Sequence, residues 1–244
     1  MFNRSLLVAV SMAALLSAPA FACDMHKAKA HEHHNAVKAS PELRRNSPAV
    51  NNYIIANKTM HAGMMIPYTG DPDIDFVAGM IPHHQGAVDM AEVQLKFGRD
   101  EELKKLARAI ILMQTDEIAM MSSWLRGRKG HILPDAEYRP TTIGFKEAMD
   151  KMHADMNIEF TGDADRDFVL GMIPHHQGAV DMAAVYKPHG KYQHLQDLAT
   201  NIISTQLQEI RVMEEWLAKN PASEVKKQKK KRKNVKKNGQ HAHH

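Results

Sequence analysis

"GMIPHHQGAVDMA" stands at Gly79–Ala91 and returns, unchanged, at Gly171–Ala183. The thirteen identical residues are 92 positions apart and mark an internal repeat, the feature that governs a fold before any other. The same shift lays Met60 on Met152, His61 on His153, His83-His84 on His175-His176 and Trp124 on Trp216 without a gap. Asp75–Ala91 and Asp167–Ala183 differ only at Ala78/Leu170, whereas Gln94–Lys105 and Tyr186–Asp197 share only Gly98/Gly190 and Leu103/Leu195. Divergence between the copies is uneven, so the matched positions carry a constraint that their neighbours do not.

Each copy reads as helical, and strand signals are absent. Ser47-Pro48 and Thr141-Thr142 offer N-caps, the first with proline at the opening helical position. The helices they open are expected to stop near Pro67 and Gly162. Asp71-Pro72 caps a second helix running to about Phe97, Gly98-Arg99-Asp100 turns the chain, and a third helix runs to about Arg126. At 100° per residue, Leu103, Leu106, Ala107, Ile110, Ile118, Met121, Trp124 and Leu125 share one face of the third helix. On the second helix Phe76, Val77, Met80, Ala87, Val88, Ala91 and Leu95 form the apolar stripe, with His84 at its centre and His83 and Met90 on one flank. One copy alone leaves these stripes half exposed. The expected fold is therefore all-α: a four-helix bundle built from two repeated units, each with a short leading helix, around one shared core.

The polar residues within those stripes carry two readings. Gln114 and Glu117 fall in the middle of the third helix's apolar face, as do Gln206 and Glu209 in the second copy. They either pair with His84 and His176 as satisfied core groups, or assist a metal site. Di-iron bundles require a Glu-x-x-His motif, but Met120 and Val212 stand three residues after Glu117 and Glu209. That weighs against a ferroxidase, which stays the alternative to a non-enzymatic role.

Methionine and histidine recur together at helical spacing. Met80 and His83 are neighbours at i,i+3, with Pro82 between them removing the bond to the Ala78 carbonyl and Gly79 easing the crowding. "MHAGMM" at Met60–Met65 sets Met60 beside Met64 and His61 beside Met65, and "MHADM" keeps Met152, His153 and Met156. A methionine stripe by itself is ordinary core packing. Thioether together with imidazole selects Cu(I), whereas zinc prefers cysteine, histidine and carboxylate. Met65, Met113 and Met120 pair with Asn157, Thr205 and Val212, so the first copy is expected to hold Cu(I) more tightly or hold more of it.

The chain ends set the compartment. Residues 1–22 combine basic Arg4, an apolar run at Leu6–Leu16 and Ala20-Phe21-Ala22, the pattern of a cleaved export signal. Beyond it lie 15 of the 17 methionines and all 16 histidines, against one cysteine, Cys23. One cysteine excludes an intrachain disulfide, and thioethers tolerate an oxidising compartment better than thiolates. A lipid anchor at Cys23 is the lesser alternative, because Ala20 stands where a lipid-attachment box places leucine. "CDMHKAKAHEHH" and "HAHH" at the two ends are expected to bind metal weakly and to favour Cu(II), Ni or Zn. Lys226–Lys237 holds nine basic residues; without it and Arg4 the balance is 22 Lys+Arg to 28 Asp+Glu. The basic tail is expected to be a solvated extension able to contact an anionic envelope surface, and a structural envelope module tethered by that tail is the other alternative beside the ferroxidase. It lacks aromatic residues for stacking bases, and nucleic acid is not an expected partner.

"DFVAGMIPHHQGAVDMA" followed by "Q-x-x-E-I-x-x-M-x-x-W-L" resembles the CopM-type periplasmic copper-binding family, catalogued as domain of unknown function 305 in the ferritin-like superfamily. The likeness covers roughly Asn57–Leu217. It implies a periplasmic helical bundle that binds copper and supports copper tolerance. Carried over by position, it favours Met80, His83, His84, Met90, Gln114, Glu117 and Met121, and their counterparts Met172, His175, His176, Met182, Gln206, Glu209 and Met213. With Met60, His61, Met64, Met65, Met152, His153 and Met156, these, apart from Gln114 and Gln206, form the expected metal-binding set. The expected organisation is a signal peptide (1–22), a His-rich segment (23–46), a helical bundle (47–220, units about 48–127 and 140–218) and a disordered tail (221–244). The expected partners are copper ions and a copper-exporting or copper-accepting envelope protein.

Overall fold

The structure, a computed structural model, describes residues 47–222 except 129. The expected signal peptide, His-rich segment and basic tail lie outside these residues. Six helices run α1 Pro48–Met64, α2 Pro72–Phe97, α3 Glu101–Leu125, α4 Pro140–Asp155, α5 Ala164–Tyr186 and α6 Gln193–Lys219, with a 3-10 turn at Ala136–Tyr138 before α4. No strand occurs among the described residues, so the all-α fold class expected from the repeat is the one found. None of these helices is long and apolar enough to cross a membrane.

Aspartates open three of the four long helices. Asp71, Asp100 and Asp163 each accept from the backbone N–H groups two and three residues on, satisfying donors that a helix start leaves free. The loop before α2 is fixed from inside the helix: Asp75 accepts from the Thr69 N–H and hydroxyl and from the Gly70 N–H, at 2.7, 2.7 and 2.9 Å. Asp167 repeats this with Thr161 and Gly162. Gly70 and Gly162 sit at φ 79° and 84°, a region that only glycine enters cheaply.

The leading helices differ from expectation. They end at Met64 and Asp155, short of Pro67 and Gly162. The second begins at Pro140, whose fixed φ suits the first helical position, so Arg139 is the cap residue and Thr141 and Thr142 lie buried in the first turn.

α2 and α5 occupy the centre and pack on each other. Gly86 of α2 faces Met60 of α1, while His84 of the same helix faces Glu117 of α3. Two residues turn a helix by about 200°, so α1 and α3 lie on opposite sides of α2. The second copy repeats this with Gly178 facing Met152 and His176 facing Glu209. The bundle is thus layered: α1 with α4, α2 with α5, α3 with α6. Each unit also clasps the other. Asp165 accepts from the Arg99 and Asp100 N–H groups and from Gln94 Nε2, and Asp73 accepts from the Lys191 N–H and the Tyr186 hydroxyl.

This layering explains the repeated thirteen residues. α2 and α5 each pack chiefly against three neighbours, one of them their own copy. A change on the self-facing side must fit its counterpart, as at an interface between identical subunits.

Candidate metal centre

His83 and His175 meet where the two central helices cross. The Nε2–H of each donates to the other's backbone carbonyl at 3.0 Å, the rings lie 3.9 Å apart, and both side chains are fully buried. A carbonyl only accepts, so the proton sits on Nε2 and Nδ1 carries a lone pair. That Nδ1 has no hydrogen-bond partner among the described residues in either histidine. Burial, then the neighbouring imidazoles, hold both pKa values well below the ordinary histidine range. Both rings are therefore neutral, the form that ligates metals.

The sequence placed His83 on the flank of the apolar stripe and His84 at its centre. The structure corrects this: the flank faces α5, and His83 is as buried as His84. His84 Nε2 meets Glu117 Oε2 at 2.8 Å and His176 Nε2 meets Glu209 Oε2 at 2.7 Å, the pairing across facing helices that one of the two readings required. Nδ1 of His84 and of His176 likewise finds no partner among the described residues.

On the α1–α4 side, the His61 and His153 rings stack at 3.5 Å. His153 is exposed and His61 half-buried, with burial and then the charge of His153 lowering the His61 pKa to about 4. His61 in turn acts on the charge of His83. Three histidine pairs thus follow one another from the α1–α4 side to the α3–α6 side: His61/His153, His83/His175 and His84/His176.

Methionine side chains pack against the glycines of the two central helices. Met60 and Met152 lie over Gly86 and Gly178 so closely that a Cβ there would stand 2.7 and 2.6 Å from Sδ. Gly79 and Gly171 make room for the methyl ends of Met182 and Met90 from the opposite unit, at 3.1 and 2.9 Å. The motif's glycines therefore admit methionine; Gly79 does not serve Pro82, which instead sits against Gly63. Met64, Met80, Met121, Met156, Met172 and Met213 are also buried in the core, whereas Met65 is 80% exposed. Among the described residues no three His, Cys, Asp or Glu side chains converge on one point. Buried thioethers are the soft donors available beside imidazole in this core.

Met113 and Met120 are partly exposed and line the α3–α6 side instead. There Met120 borders a cleft of about 320 Å³ with Asp116, Glu117, His194 and Asp197. His194 escaped the sequence reading because the repeat places Glu102 opposite it.

Among solved structures, the chain resembles CopM in its Cu(I)-bound, Ag-bound and apo forms, at 34% identity over 62% of this chain and 97–98% of that one, with a TM-score of 0.47. A Cu(II)-bound form of CopM also matches. Uncharacterized protein L153 of Acanthamoeba polyphaga mimivirus is 40% identical over 57 residues, which span 23% of this chain and 38% of that protein. The family model described as domain of unknown function DUF305 matches residues 73–217 and, in the second copy, 165–243. These matches together extend over more than half of the sequence, and the chain belongs to the DUF305 family.

Proposed function

We propose that the protein is a periplasmic copper-binding protein that prefers Cu(I) and serves copper sequestration, tolerance or delivery to an envelope partner. Copper is its cargo, and no reaction is catalysed. Support comes foremost from one pair of atoms: the unprotonated, unpartnered Nδ1 lone pairs of His83 and His175, fully buried and neutral within a methionine-lined core. Neutral imidazole and thioether bind Cu(I) without losing a proton and give zinc or iron little advantage. Sequence identity to a protein solved with Cu(I), Ag and Cu(II) points the same way. Residues 1–22 support the periplasmic placement. His61 and His153 are the reachable end of the column, and His83 and His175 are closed to solvent, so uptake passes from the first pair to the second through local opening of the helices.

The test is a Cu(I) competition titration of the untagged protein against a chromophoric chelator. His83→Leu/His175→Leu should lose the tightest-bound Cu(I) while keeping its helical spectrum. Unchanged affinity in a folded variant would end the assignment to this core, and inability of the wild type to take Cu(I) from the chelator would end the copper proposal.

A further inference from the structure

The α3–α6 side carries donors of another kind. Between the two helices lies a narrow space of about 10 Å³, room for roughly one water-sized sphere. Its walls come in pairs matched by the repeat: Gln114 with Gln206, Glu117 with Glu209, Met113 with Thr205. Gln-x-x-Glu at i,i+3 brings amide and carboxylate to one face of each helix.

Gln114 and Gln206 are 3% and 2% exposed, and Oε1 of each lacks a hydrogen-bond partner among the described residues. Folded proteins seldom strand a buried amide oxygen. Here two are stranded at repeat-related positions lining one small space. Glu117 and Glu209 line the same space; His84 and His176 engage Oε2 of each, leaving Oε1 to face other partners.

We infer that this space is a second metal site, for one hard divalent cation of the Mn²⁺ or Ca²⁺ class, held by the Glu117 and Glu209 carboxylates and the Gln114 and Gln206 amide oxygens. The matched donors are all oxygen, the preference of hard cations, with water completing the shell. Sulfur is no part of the matched set, since Thr205 stands opposite Met113. Two carboxylates at one narrow, low-dielectric space repel each other, and a divalent ion reverses that. His84 and His176 hold the carboxylates in position from behind, as outer-shell partners do. The site is independent of the copper proposal, differing in donors and in the side of α2 and α5 that it uses.

Mn²⁺ is the suitable probe, because it stands lowest in the affinity series that the His-rich chain ends follow. Electron paramagnetic resonance of the full chain, titrated with Mn²⁺ with and without Cu(I), should show one bound Mn²⁺ per chain that Cu(I) does not displace. Gln114→Leu/Gln206→Leu removes only the stranded amides and should weaken Mn²⁺ by at least about tenfold. Gln114→Glu adds a carboxylate and should tighten it. A purely structural role predicts no gain from that change. Absence of bound Mn²⁺ in the wild type, equal binding in the double leucine variant, or stoichiometric displacement by Cu(I) would each overturn the inference. The first outcome would leave the space as a water site.

Discussion

His83 and His84 are neighbours in the chain, equally buried, and serve opposite chemistries. His83 faces its own copy and meets only a backbone carbonyl and another imidazole; His84 faces α3 and meets a carboxylate. One helical step of about 100° separates a sulfur-rich, uncharged environment from an oxygen-rich, anionic one. A doubled histidine on a central helix thus joins two sides of the bundle instead of forming one chelate.

The largest expected effect follows from the uncharged side. With folded pKa values far below the unfolded value near 6.5, His83 and His175 bind no proton in the metal-free fold, whereas the unfolded chain takes up two. Stability is therefore full above about pH 6.5 and falls as pH drops below it, by at most about 2.7 kcal/mol per pH unit for two protons. Asp75 and Asp167, whose carboxyls burial raises, act with the opposite sign lower down, so the test belongs above the carboxylate range. Denaturant titrations of metal-free protein between pH 7 and 5 should show this slope, and His83→Leu/His175→Leu should remove it, leaving the one-proton contribution of the same sign from His61, whose pKa is lowered to about 4. A slope undiminished by the substitution would place the pH sensitivity elsewhere.

On the anionic side, Glu117→Gln keeps volume but gives up a charge-assisted bond to a buried imidazole. The expected loss is about 1.5–3 kcal/mol, with Glu209→Gln alike. A fall in melting temperature for both, with the tightest Cu(I) retained, would sharpen the contrast between the sides. Loss of that Cu(I) would merge them into one site.

Gly86→Ala probes how the sulfur is admitted. The new Cβ would stand 2.7 Å from Met60 Sδ, and overpacking of this kind costs roughly 1–3 kcal/mol. Helix propensity returns about 1 kcal/mol, so the net loss is expected to stay below about 2 kcal/mol. Cu(I) affinity should fall more visibly than stability, because the displaced group is the thioether. Equal affinity would make Met60 a packing residue.

The repeat, the helix order and the Asp71 and Asp100 starts were legible because each rests on local signals: a cap, a proline, a period. The pairing of His84 with Glu117 was legible too, since two polar residues central to facing stripes need each other. The burial of His83 was not. A single-stripe projection assumes one buried face, and α2 buries the sides turned to α1, α3 and α5; His83 meets His175 of the second copy, 92 positions away. The role of Gly86 was hidden for the same reason, because the methionine it admits belongs to another helix. Thr141-Thr142 misled by type: Pro140 just before them opens the helix with no side-chain cap.

The smallest effect is expected where the copies differ. Met65, Met113 and Met120 have no sulfur counterparts in the second unit, and on sequence grounds they promised the first unit tighter or additional Cu(I). Met65 is 80% exposed after α1, and Met113 and Met120, at 42% and 37%, border the α3–α6 side. None of the three belongs to the buried methionines of the core. Replacing all three with leucine at such exposed positions should change stability by less than about 0.5 kcal/mol per site. Any Cu(I) they hold is solvent-accessible and weak, so the triple variant should lose only the weakest-bound fraction in a chelator competition series. Loss of the tightest-bound Cu(I) instead would move the soft site to the oxygen-rich side and break the division between His83 and His84.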